Sequence, residues 1–78
     1  MNEKQVLLRD LPGVDQLLRL PLTADLVLEY GRSLTLEAIR AVLEEQRQAI
    51  LRGQANLPTN PHLIQAAHTW LETLLQPT

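Results

Sequence analysis

These 78 residues contain no cysteine, so no disulfide or thiolate metal site braces the fold and no cysteine nucleophile exists. Phenylalanine is also absent, and the aromatics are Tyr30 and Trp70 alone, which leaves little of the stacking that strands use. Lys4 is the only lysine. It sits near a terminus, where a solvated charge is expected rather than the deep pocket a Schiff-base lysine requires. The three glycines stand singly at 13, 31 and 53, so there is no glycine-rich loop to cradle a phosphate. No apolar run approaches the roughly 18 residues of a membrane span, and the charged start has no signal core. That reading places the chain in the cytoplasm. A basic excess is missing as well: the net charge is −2 and the pI about 5.5, which excludes a general polyanion binder.

What is present is leucine, 18 times, with 7 alanines against only 7 valines and isoleucines together. Unbranched apolar side chains keep their rotamer freedom in a helix. The expected fold is therefore all-α: a small compact bundle of about four helices, two short and two longer. A short amphipathic segment over 3–9 can precede it, broken by Asp10-Leu11-Pro12-Gly13. A short helix is expected from Val14 to Leu18, with Pro21 ending that unit. Thr23 is the expected cap of a third helix, Ala24 to Tyr30, with an apolar stripe of Ala24, Val27 and Leu28, and Gly31 stops it. Ser33 or Thr35 is expected to cap the longest helix, which reaches about Arg52 with Leu36, Ile39, Val42, Leu43 and Ile50 inward. Residues 53–61 read as loop, and Asn60-Pro61 as the cap and first residue of a last helix to Leu75. Leu17, Leu18, Ile39, Leu43 and Leu71 are assigned to the core. Residues 1–76 form one domain, and 77–78 read as the start of a linker.

Chemistry is sparse. His62 and His68 lie six apart, about 240° around a helix, so they do not pair as metal ligands at helical spacing would. Arg40 and Arg47 alternate with Glu37 and Glu44 at i, i+3 spacing, which reads as a solvated, self-neutralising ladder. Arg19 has Asp15 one turn earlier and can pair with it. Arg32 follows Gly31 and Arg52 precedes Gly53, so both project from helix ends, although Arg52 also suits the negative end of a helix dipole. Tyr30, at a helix end, can stack on an unpaired base or pack its ring on the core with its hydroxyl wet. Trp70 reads as core or interface. The short-helix, turn, long-helix order of 24–52 suggests a helix–turn–helix DNA binder, but Glu37, Glu44 and Glu45 would approach the phosphates.

Three segments carry a resemblance. Asp10-Leu11-Pro12-Gly13-Val14-Asp15-Gln16-Leu17-Leu18 is similar to the opening of bacterial selenocysteine synthase, a Leu-Pro-x-Ile/Val-Asp-x-Leu-Leu segment after a short variable start. Tyr30-Gly31-Arg32 matches that family's Tyr-Gly before a helix, and Ala49-Ile50-Leu51-Arg52-Gly53 its apolar-Arg-Gly helix ending. The three agree in order and spacing across 10–53.

The resemblance implies the N-terminal domain of L-seryl-tRNA(Sec) selenium transferase. That enzyme is a pyridoxal 5'-phosphate protein of the fold-type-I aminotransferase class and assembles as a homodecamer. It converts seryl-tRNA(Sec) to selenocysteinyl-tRNA(Sec) with selenophosphate. The family's catalytic residues lie in a large domain with no counterpart here, so the resemblance implies no cofactor and no catalytic residue for this chain. Its implied partners are tRNA(Sec), notably the D-arm, and the catalytic domain of the same parent protein. The candidate tRNA contacts are Arg19, Tyr30, Arg32 and Arg52. The chain itself is expected to be monomeric. A competing reading is a helical protein–protein module that docks through its leucine-rich last helix.

Overall fold

The helix of twenty residues, Arg32–Leu51, is the axis of the structure, a computed structural model that describes residues 3–53 and 59–76. In chain order the helices are α1 (Glu3–Asp10), α2 (Val14–Leu18), α3 (Pro21–Tyr30), α4 (Arg32–Leu51) and α5 (Asn60–Leu75). No strand occurs among the described residues, and no helix there is long and apolar enough to cross a membrane. The all-α bundle is present, with the N-terminal segment as a fifth helix. Every other helix packs on α4, α5 most extensively, while α3 also touches α2 and α5. The Cα envelope is 42 × 30 × 17 Å, so the molecule is a slab less than two helix diameters thick.

The core follows the α4 pattern. Ile39, Val42, Leu43 and Ile50 are buried, joined by Thr35 and Ala38, which apolar periodicity alone passes over. Leu17 of α2, Leu26 of α3, and Leu63, Ile64, Ala67 and Leu71 of α5 close on Ala38, Ile39, Val42 and Leu43, while Ile50 is buried outside this cluster. Leu18 and Trp70 are partly buried against this cluster.

Several helix starts differ from expectation, each for a capping reason. Pro21 opens α3 rather than ending the preceding unit, because its fixed φ suits a first helical residue. Thr23 is consequently inside α3, fully buried, and its hydroxyl donates to the Leu17 carbonyl, tying α3 to α2. The buried face of α3 is Thr23 and Leu26, not Ala24, Val27 and Leu28; Leu28 is 86% exposed. Starting the helix three residues earlier does not change its phase; the phase is set by Thr23 reaching α2. Neither Ser33 nor Thr35 caps α4, since Gly31 does. In α5 the cap is Thr59, whose side chain accepts from the His62 N–H at 3.3 Å, one residue before the expected Asn60. The central part of the expected loop, 54–58, and the expected linker, 77–78, lie outside the described residues.

Candidate nucleic-acid interface

Tyr30-Gly31-Arg32 is where two helices meet with one residue between them. Gly31 has φ 87° and ψ 159°, a region open essentially to glycine alone. Its N–H donates to the Val27 carbonyl at 2.8 Å and closes α3, while its carbonyl accepts from Thr35 N–H at 3.1 Å and opens α4. A single residue thus replaces the three- or four-residue turn of a helix–turn–helix motif. Glycine has no side chain to cap with, and the first turn of α4 holds no acidic residue. Its first N–H groups therefore have no side-chain cap, and Arg32 beside them is exposed. A cation at the positive end of a helix dipole is unfavourable by itself. A phosphate oxygen placed there would meet both the backbone donors and the guanidinium fork.

Tyr30 is half-buried against the core, and its ring centroid lies 6.0 Å from that of His68 on α5, the planes inclined at 57°. Partial burial raises the pKa of its hydroxyl above the ordinary value, helped by the Glu29 and Glu72 carboxylates and a hydrogen bond with Glu29. His68 Nε2 stands 3.7 Å from Glu72 Oε1. With two carboxylates around the hydroxyl, a nucleotide would approach Tyr30 through its ring rather than through a phosphate.

The four candidate residues do not form one cluster. Arg32 adjoins Tyr30, but Arg52 caps the far end of α4, roughly 30 Å away at 1.5 Å per residue. Arg19 follows α2, and the ten residues of α3, about 15 Å, separate it from Tyr30. Arg19 is exposed, and no ion pair joins it to Asp15 among the described residues.

The ladder on α4 is only half formed. Glu44 Oε2 accepts from Arg47 at 3.0 Å and its Oε1 from Gln48 at 3.1 Å, which occupies both oxygens. Arg40 is exposed and forms no ion pair among the described residues, with Glu37 or with Glu44. Sequence spacing passed over this because it counts possible partners; competition from Gln48 was the signal available. The grooves beside α5 offer no cationic alternative. One, against α3, is lined by Asp25, Glu29 and His68, and the other, against α4, by Glu45, His62 and Trp70. Among the described residues, no group of three or more His, Asp or Glu side chains could hold a metal ion.

Residues 8–47 match the family described as selenocysteine synthase N terminal. That span includes Arg19, Tyr30, Arg32 and Arg40 but not Arg52. Among curated proteins, the chain is 38% identical over 65 residues to L-seryl-tRNA(Sec) selenium transferase of Methylocella silvestris, covering 83% of this chain and 14% of that protein. It is 41% identical over 54 residues to the protein of the same name from Edwardsiella ictaluri, covering 69% of this chain and 12% of that one. The chain therefore spans only about one seventh of the relatives it matches. No solved structure matches it significantly.

Proposed function

Since this chain belongs to the selenocysteine synthase N-terminal family, we propose that its role is to recognise tRNA(Sec) on behalf of a selenium transferase. In this reading the larger protein converts seryl-tRNA(Sec) to selenocysteinyl-tRNA(Sec) with selenophosphate, in the cytoplasm, as a homodecamer. Pyridoxal 5'-phosphate does not fit here: the only lysine is the second residue of α1, and no glycine-rich loop exists to hold the phosphate. The cofactor belongs to the remainder of the larger protein. Tethering this domain to that remainder turns a weak tRNA contact into an intramolecular one, adding selectivity without needing a strongly basic surface.

The observation that carries the reading is the start of α4, which has no side-chain cap, with Arg32 as its first residue and the Tyr30 ring just before Gly31. Arg19 and Arg52 extend the candidate surface to other helix ends. Arginine suits this task because its planar fork binds a phosphate through two hydrogen bonds. An acidic domain must select its RNA by shape, and the D-arm side of a tRNA presents one.

A titration of the labelled domain with tRNA(Sec), beside an elongator tRNA(Ser), tests the proposal. Binding should favour tRNA(Sec) and weaken steeply with salt. Arg32→Ala and Arg52→Ala should each weaken it without loss of helicity. Salt-independent binding to protein, with no response to tRNA(Sec), would favour the docking reading instead, for which Leu74 and Leu75 at the end of α5 are available at 51% and 52% exposure.

A further inference from the structure

We infer that Arg40 is a further tRNA-backbone contact, and that Arg32, Arg40 and, once released from Glu44, Arg47 form a cationic track along one flank of α4. This rests on the tRNA(Sec) reading above and deepens it.

At 100° per residue, Arg40 and Arg47 fall within about 20° of each other on the exposed face, roughly 10 Å apart along the axis. Arg32 lies about 60–80° round from them, at the azimuth of the buried Ile50, and is exposed because it stands at the helix start. The carboxylates lie elsewhere on the wheel: Glu44 and Glu37 about 40–60° beyond Arg40, towards the middle of the exposed face, and Glu45 further round towards the α5 groove. Between Arg32 and Arg40 this flank holds Leu36, half-buried, and no acidic residue. The exposed face of α4 thus carries Arg40 and Arg47 along one edge and Glu37 and Glu44 along its middle, with the Glu44–Arg47 pair bridging the two rows.

Glu37 and Glu44 both stand within about one turn of Arg40, and neither forms an ion pair with it among the described residues; Glu44 accepts from Arg47 and Gln48 instead. Arg40 is itself exposed. Arg47 is held at 3.0 Å, yet both members of that pair are more than half exposed, so the pair is weak and can yield to a phosphate. The track also begins at the N-terminus of α4, where Gly31 supplies no side-chain cap and the first backbone donors adjoin Arg32. The α5 side offers no lysine or arginine, because every one of them precedes Gly53.

The test is fluorescence anisotropy of tRNA(Sec) transcript with the 78-residue chain over a salt series, each variant checked for helicity by circular dichroism. Arg40→Gln should weaken binding about three- to tenfold and reduce the slope of log affinity against log salt by roughly one. Glu44→Gln should tighten binding, because it frees Arg47 and removes a neighbouring negative charge. Gln65→Glu, which changes net charge by the same amount on exposed α5 surface, should alter affinity less than about twofold if the contact is local.

If Arg32→Ala weakens binding while Arg40→Gln leaves affinity and slope unchanged, the track is wrong and the helix-end reading stands. Equal losses in Arg40→Gln and Gln65→Glu would show that only net charge matters, which also overturns the track. A wild-type chain with no salt-dependent affinity for tRNA(Sec) would overturn both readings.

Discussion

Two buried threonines show how much one hydroxyl depends on its surroundings. Thr23 and Thr35 are both fully buried, but Thr23 donates to the Leu17 carbonyl whereas the Thr35 hydroxyl has no hydrogen-bond partner among the described residues. An unsatisfied buried hydroxyl costs free energy that a methyl of similar shape does not. Thr35→Val should therefore stabilise the domain by about 1 kcal/mol, and Thr23→Val should destabilise it by a similar amount by removing the hydrogen bond that ties α3 to α2, leaving the Leu17 carbonyl with the Leu20 N–H alone. For a domain of this size each corresponds to a Tm shift of roughly 4–8 °C, in opposite directions, measurable by thermal melts followed at 222 nm.

Tyr30 gives a second test at this scale, made clean by being the only tyrosine. Its hydroxyl pKa is raised above 10.0 by partial burial and by Glu29 and Glu72. The folded state therefore favours the protonated phenol. That contribution is fully present below the ordinary pKa and is lost as pH rises through the raised one. An absorbance titration near 295 nm should show a midpoint above 10.0 in the folded chain, moving down when Glu29 is replaced by Gln.

At the scale of the helix, the ends carry the specificity of the fold. Gly31 caps two helices at once in a conformation with φ 87°, yet a Cβ added there would meet nothing within 4 Å. Gly31→Ala should consequently cost about 1–3 kcal/mol from backbone strain alone, with no clash to relieve. Thr59→Ala, which removes the one side-chain cap of α5, should cost about 0.5–2 kcal/mol. Both appear as lowered urea midpoints with unchanged slopes. A Gly31→Ala domain of undiminished stability would mean that the α3–α4 junction relaxes to another geometry. The periodic interior of α4 was legible from spacing. Its start was not, because Ser33 and Thr35 look like better caps than Gly31 until the Thr35 side chain is needed in the core.

For the whole molecule, packing leaves Leu22, Leu28, Leu51, Leu74 and Leu75 exposed, but on several helices and at separate ends. Single exposed leucines are ordinary on monomeric proteins. Sedimentation at micromolar concentration should return the 8.8 kDa monomer mass; twice that mass would place some of these leucines in an interface.

Composition and punctuation determined that the chain is helical, where its helices end, and which face of α4 turns inward, because leucine spacing and Pro/Gly breaks are local signals. The same residues supplied the resemblance to the selenocysteine synthase family in Asp10–Leu18 and Tyr30-Gly31-Arg32. Tertiary structure alone decided which face of α3 is buried, since Thr23 turns inward only once the Leu17 carbonyl is there to accept its proton. It also decided that Glu44 serves Arg47 and Gln48 rather than Arg40. Spacing in a sequence names every partner a side chain could reach; only the packed rotamers select one.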